Sequence, residues 1–384
     1  MSNYNKSCIN TPTILPPANR IIAIGDVHGD MKLVLNCLLI SKIIEKSKKS
    51  NKSIVVNLNN KLSYYCWTGK DTIVVQIGDQ NDGCRPNNSD TSSCNGDNDI
   101  ADDIQILKFF TKLHELAKLE NGGVYSLLGN HELMNVEGNF TYTSKKNMDM
   151  FKDYVDPYTQ QTFSTPFAAR THAFSKGNEY ANLLGCTRMS ILLIGDFLFV
   201  HAGLDPKFVE SFNSREKLPL LNDIVQKWLL NQLDKSIIDD ETLNKIISDS
   251  TYSPFWNRVL GNLKPNLSYE NNIECQEALK PIIDSYKIKG MIIGHTPQME
   301  DGINSTCSNM VFRIDNGASK AFDRSDVKKR TPQRAPQVLE IKKLDNNSYK
   351  YSVIYNKKGE QYNFVVPDDN TGFGRVQAGL PSST

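Results

Sequence analysis

The sequence lacks several features that would each assign it to a large class of proteins. Its 384 residues hold no long hydrophobic run. The longest apolar stretch, Ile191 to Val200, is interrupted by Gly195–Asp196 and is too short to span a bilayer, so no membrane association is expected. Met1 to Arg20 is polar and offers no secretory core, which points to a cytoplasmic protein. Neither sign of charge dominates: 44 Lys+Arg face 43 Asp+Glu, so no nucleic-acid partner is expected. No CxxC pair occurs among the eight cysteines, at 8, 37, 66, 84, 94, 186, 275 and 307. They read as incidental thiols of a reducing compartment, neither a disulfide frame nor a zinc ribbon. GxxxxGK[ST] and G-x-S-x-G are both missing, which argues against a P-loop NTPase and a serine hydrolase. Cys307 and Arg313 have the spacing of a cysteine phosphatase loop, yet the intervening SNMVF has no glycine with which to cradle a phosphate.

What remains is a chain with 39% apolar residues, enough for a substantial core. Short β-branched runs ending in glycine alternate with helical patterns. A strand followed by a loop is predicted in each of 20–30, 72–80 and 123–132, with helices over 31–47 and roughly 101–120, a succession that implies an α/β sheet with function at the carboxyl ends of its strands. Residues 191–203 read as a hairpin around Gly195–Asp196, 217–248 and 270–287 as helical, and 290–297 and 310–319 as strands with polar ends. A closing hairpin is expected over 337–355. Residues 133–190, rich in Asn, Thr and Ser, read as irregular cover over the sheet. Residues 1–19 are expected to be a flexible arm, 20–357 a single domain with a mobile insert near 86–103, and 358–384 a polar tail.

Five strand ends carry metal-ligand residue types beside glycine: Gly25-Asp26-Val-His28-Gly29, Gly78-Asp79-Gln-Asn-Asp82, Gly129-Asn130-His131-Glu132, Val200-His201-Ala-Gly203 and Gly294-His295-Thr296. Carboxylate, imidazole and amide oxygen together suit divalent ions of middling softness, Mn above all, with Fe or Zn as alternatives. Any one such segment is ordinarily a turn. Four of the six histidines in the chain lie in these segments, however, and that concentration points to a metal centre. His114, in a polar helical stretch, reads as part of a solvated face, and His172 as a residue with no assigned role.

The motif order GDVHGD, GDQND, GNHE, HAG, GHT resembles the calcineurin-type metallophosphoesterases, in their phosphoprotein phosphatase branch. The longer strings VYSLLGNHELMN, FLFVHAGLDP, FWNRVLG, MIIGHTP and RIDNGAS are similar to the Shewanella-like protein phosphatases and their viral and protist relatives. The resemblance spans roughly residues 20–325. It implies a calcineurin-like α/β sandwich of two mixed sheets flanked by helices, with two divalent ions at its rim. Asp26, His28 and Asp79 would hold one ion, and Asp79, Asn130, His201 and His295 the other, Asp79 bridging. The second histidine of the wider superfamily's GHxH is Pro297 here, as expected of the protein phosphatase branch.

By the same resemblance His131 would be the general acid, oriented by Asp82. Two ions about 3.5–4 Å apart would acidify a water for in-line attack without a phosphoenzyme. Guanidinium groups meet phosphate oxygens in a plane, so arginines are expected at the substrate. Arg258 matches one family position. The other, directly after Asp82, is Gly83, and Arg85 is the candidate replacement. The expected substrate is a phosphoprotein or phosphopeptide. Small-molecule or dinucleoside polyphosphate hydrolysis, and an inactive phosphate-binding module, stand as alternatives.

Overall fold

The computed structural model describes residues 8, 11–86, 94, 100–234, 236–323, 331–355 and 360–363. Two large sheets dominate it. One has seven strands in the order Glu360–Asn363, Tyr349–Tyr355, Gln337–Lys343, Arg20–Ile24, Ile73–Gln76, Gly123–Leu127, Arg188–Met189. Its second half, from Arg20–Ile24 onward, is parallel, and Gln337–Lys343 joins it antiparallel. The other has six: Ile14–Leu15, Ile191–Ile194, Phe197–Val200, Gly290–Ile293, Val311–Arg313, Asn304–Thr306. Both are mixed, as expected.

Side chains alternate between the two faces of each strand, and the alternation assembles the sandwich. Ile21 and Ala23 point into a central core with Leu192, Ile194, Phe197, Phe199, Ile292 and Phe312 of the opposite sheet. Their neighbours Ile22 and Ile24 face outward onto the helices Met31–Ile40 and Asp103–Lys118. Ile191, Leu193, Leu198 and Val200 likewise leave the other sheet to meet Leu218–Leu229 and Ile273–Tyr286. The strands Ile191–Ile194 and Phe197–Val200 are therefore apolar along their whole length and read as continuous hydrophobic runs.

Several expectations are corrected. The helix over 31–47 stops at Ile40, where the Ser41 hydroxyl bonds the Cys37 carbonyl, and Ile44–Ser47 begins a small sheet with Ser53–Leu58 and Lys61–Trp67. Residues 133–190 contain three helices the sequence reading did not expect, Lys145–Asp149, Pro166–Phe174 and Glu179–Thr187, each entered at a polar residue. Ser144 and Thr165 cap theirs through the side chain and Asn178 precedes the third, so some of the Ser, Thr and Asn that suggested irregular cover are helix starts. Within the arm, Ile14–Leu15 pairs with Ile191–Ile194 and so belongs to the sheet. Residues 1–7, 9–10, most of the 86–103 insert and the tail apart from 360–363 lie outside the described residues. His114 is half-buried, its Nδ1 2.7 Å from the Val124 carbonyl, and not on a solvated face.

The cysteines also correct the sequence reading. Six are joined, Cys8–Cys186, Cys84–Cys94 and Cys275–Cys307, and Cys37 and Cys66 are free. Two of the pairs connect residues 178 and 32 positions apart, which only the fold brings together. Disulfides belong to oxidising surroundings, so the thiol argument for a cytoplasmic location no longer stands. Among the described residues no helix is long and apolar enough to cross a membrane.

Candidate active site

The loops leaving Arg20–Ile24, Ile73–Gln76, Gly123–Leu127, Phe197–Val200 and Gly290–Ile293 converge at one rim of the sandwich. All six sequence-predicted ligands come with them, and all are buried. His28, Asp79 and His131 offer ligand atoms within 4.8 Å of one another, and so do Asp79, His201 and His295. Asp79 belongs to both groups and divides its oxygens between them. Oδ2 lies 3.7 Å from His28 Nε2 and 3.9 Å from His131 Nε2, and Oδ1 lies 3.4 Å from His201 Nε2. Asn130 Oδ1 is 3.1 Å from His201 Nε2, and Asp26 Oδ2 is 3.9 Å from His28 Nε2.

Each imidazole has one nitrogen fixed by a carbonyl. His28 Nδ1 faces Asn81 O at 3.2 Å, His201 Nδ1 faces Ile77 O at 2.9 Å, and His295 Nε2 faces Trp256 O at 2.9 Å. A carbonyl only accepts, so a proton sits on each of those nitrogens and the other nitrogen of each ring faces the basin. That is the arrangement in which histidines bind metal. Burial pushes His201 down, but Asp79 outweighs it and holds this ring above its usual value. The carboxylates fit a cation as well: Asp26 Oδ1 is buried with no hydrogen-bond partner. Burial, aided by Asp315 and Asp79, pushes the Asp26 carboxyl well above its usual range. Burial acts on Asp79 in the same direction, but the surrounding His201, His131 and His28 outweigh it and hold this carboxyl well below its usual range. Burial, together with Arg85, drives His28 well below its ordinary value, so its ring is neutral. The donor set suits divalent ions.

The local backbone is bent to make this convergence possible. His28, Asp79, Asp82 and His295 adopt φ of 39°, 52°, 72° and 64°, the left-handed region that few side chains occupy. Such strain persists where the surroundings over-determine it. Glu132 is one such constraint: its carboxylate accepts the backbone N–H of Asp79, Gln80, Asn81 and Gly129 at 2.9, 2.7, 3.1 and 2.7 Å. Glycine is required at two of the approaches. A Cβ on Gly129 would lie 2.1 Å from Asp79 Oδ1, and one on Gly294 would lie 2.2 Å from Asp26 Oδ1.

His131 Nδ1 sits 2.9 Å from Asp82 Oδ2. Behind this pair lies a buried polar network that the sequence did not disclose. Asn135 Nδ2 donates to Asp82 Oδ2 at 3.0 Å, and Thr143 Oγ1 donates to Asp82 Oδ1 at 2.7 Å. Arg170, with no exposed surface, donates twice to Asn135 Oδ1, at 3.1 and 2.7 Å, and to Asp103 Oδ2 at 2.9 Å. Burial pushes Asp82 up, but His131 and Arg170 together hold it below its usual value. Asn135 lies within the GNHELMN string, the one sequence signal that could have pointed to it. Arg170 carries no such signal. His172 is placed against Asp156 at 2.5 Å, away from this network.

Both candidate arginines border the basin. Arg258 is exposed and donates to the His295 carbonyl at 2.9 Å. Arg85 packs 4.5 Å from the centre of the Phe322 ring and 5.4 Å from that of Tyr142, with Nη2 2.7 Å from His28 Nε2. Its neighbour Cys84 is tied to Cys94. A side chain at Gly83 has no room, since a Cβ there would meet Ile100 Cγ1 at 2.4 Å.

A family model, calcineurin-like phosphoesterase, matches residues 19–299, which hold every ligand described above. The chain belongs to this family. The phosphoesterase is 36% identical over 263 residues to an uncharacterised protein of Acanthamoeba polyphaga mimivirus, covering 65% of this chain and 99% of that one. It is 26% identical over 395 residues to Shewanella-like protein phosphatase 2 of Arabidopsis thaliana, with 92% and 83% of the two chains covered. Among solved structures, a cold-active protein-tyrosine phosphatase of a psychrophilic Shewanella superposes with a TM-score of 0.58 over 92% of this chain and 82% of its own, at 18% identity, a likeness of fold. The phosphoesterase is thus a hydrolase of a metal-dependent family, with Shewanella-like protein phosphatases among its relatives.

Proposed function

We propose that this phosphoesterase hydrolyses phosphate monoesters on phosphoproteins by direct attack of water, at a pair of divalent ions held on either side of Asp79. The observation that carries the reading is the division of one carboxylate between two histidine groups, with His131 and its Asp82 partner beside them. Asp26, His28 and Asp79 would hold one ion, and Asp79, Asn130, His201 and His295 the other. Manganese is the expected metal, iron or zinc being compatible with the same donors. When bound, such ions supply Lewis acidity toward phosphoryl oxygens and bring the pKa of water toward neutrality.

The protein's own groups do the rest. His131 has Nδ1 committed to Asp82, which keeps a proton there and leaves Nε2 facing the basin, 3.9 Å from Asp79 Oδ2. From Nε2 it delivers a proton to the departing seryl, threonyl or tyrosyl oxygen, and the Asp82 carboxylate stabilises the imidazolium before transfer. Arg85 supplies positive charge on the His28 side and Arg258 on the His295 side, so a phosphate between them meets a guanidinium from each. The names of the plant relative and of the Shewanella structure support a phosphoprotein as substrate.

The test combines metal analysis of the purified chain with a panel of phosphoserine, phosphothreonine and phosphotyrosine peptides, run beside dinucleoside polyphosphates with manganese added. Turnover of peptides with about two ions per chain is expected. Turnover of dinucleotides alone would reassign the substrate, and binding of phosphate without turnover would make the chain a binding module.

A further inference from the structure

One further strand end opens on the same rim. Val311–Arg313 lies beside Gly290–Ile293 in parallel, the Ile314 N–H bonding the Ile293 carbonyl at 2.8 Å, so Asp315 emerges next to the loop that carries His295. The chain holds it firmly: its carbonyl accepts from Gln298 N at 2.8 Å, and its Oδ1 accepts from Gly317 N at 2.9 Å. It also packs against the loop of Asp26, because a Cβ on Gly25 would lie 2.2 Å from Ile314 O and 3.2 Å from Asp315 Cα. Asp315 is 1% exposed, and its Oδ2 has no hydrogen-bond partner.

A buried carboxylate oxygen with nothing to accept from is destabilising. Here the charges around it add to the cost. Burial pushes the Asp315 carboxyl up against the bond from Gly317 N, and Asp79 adds to that push while Arg85 and His201 oppose it; Asp315 in turn helps to push Asp26 up. Asp26 has an unpartnered buried oxygen of its own. Two buried carboxylates that repel one another and each keep an oxygen free are a pair that a cation would complete. A purely structural aspartate would be expected to have both oxygens engaged.

We infer that Asp315 is a further carboxylate of the metal centre, on the Asp26 side, its free oxygen facing a bound divalent ion or a water attached to that ion. This rests on the metal reading proposed above and extends it to a residue outside the ligand set. It also makes that side of the basin richer in oxygen donors than the His201–His295 side, which favours harder ions there.

The experiment is manganese titration of the chelator-stripped full chain and of its Asp315→Asn variant, read by the dissociation constant and, without metal, by thermal unfolding. Asparagine keeps an oxygen for Gly317 N and removes the charge. Roughly 10–100-fold weaker manganese binding is expected, the range for groups that support metal ligands, with metal-free unfolding at an unchanged or higher temperature because a buried repulsion is gone. Manganese binding as tight as in the wild type would overturn the inference. So would a metal-free variant that melts well below wild type, since Asp315 would then be a structural residue. A wild-type chain that takes up no manganese at all is a different result, and it would count against the metal reading itself.

Discussion

On the His131 flank of the basin both oxygens of Asp82 are engaged, by His131, Asn135 and Thr143, and Arg170 closes the network behind them. On the Asp26 flank, one oxygen of Asp26 and one of Asp315 are buried with nothing to accept from. A fully matched network in a low-dielectric interior is rigid and fixes an imidazole in one orientation and tautomer. An unmatched one has acceptor capacity to spare. Under the proposed reading the two flanks serve different chemistry, one a proton and the other a cation, with Asp79 between them.

The largest expected effect comes from removing what the flanks share. Asp79→Asn should lower the occupancy of both ions and reduce turnover on the order of 10⁴-fold, since each ion contributes several kcal/mol. Near-normal metal content with near-normal turnover would dissolve the comparison altogether. His131→Asn probes the matched flank alone. It should lose roughly 10²–10⁴-fold on a phosphoserine peptide, the scale of general acid catalysis. Its loss on p-nitrophenyl phosphate should be clearly smaller, because that leaving group departs without a proton. Metal content should not change. Equal losses on both substrates would assign His131 to phosphate positioning.

Arg170→Met tests whether the network behind His131 is as tightly matched as its distances imply. It leaves the Asp103 carboxylate buried and unpaired, so chemical denaturation should show about 3–5 kcal/mol lost. A loss below about 1 kcal/mol would mean the network is loose. Arg85→Ala should have the smallest effect. It is expected to lower kcat/KM by about 1.5–3 kcal/mol and to weaken inhibition by product phosphate, the range for a hydrogen bond to a charged group. Wild-type kinetics in this variant would leave Arg258 as the phosphate arginine.

The sequence made the ligands legible because each stands one to four positions beyond a strand, with a glycine within two residues of it. Gly129 and Gly294 are required by the crowding around them. The strands were legible for the same reason that they are buried on both faces. What escaped notice depends on distance along the chain. Arg170 meets Asp103 across 67 residues, and Cys8 meets Cys186 across 178, and no local pattern announces either contact. The helices between 133 and 190 were hidden by their own caps, whose polar residues resemble loop composition. Arg85 lay between these cases. The missing arginine after Asp82 was visible, but the reason for its absence, Ile100 against Gly83, was not.

The left-handed backbone at His28, Asp79, Asp82 and His295 has an evolutionary consequence. Each of these residues costs the fold about 1–2 kcal/mol that glycine would not. Thermal stability and hydrolysis therefore pull His28, Asp79 and His295 in opposite directions, whereas the bonds from His131, Asn135 and Thr143 keep Asp82 for stability as well. A library of variants sorted only for survival at elevated temperature should accumulate glycine at the first three, whereas one sorted for phosphate release should keep aspartate and histidine. Descendants of this chain that had given up catalysis would be recognisable by glycine at those three positions while their strands still read as before.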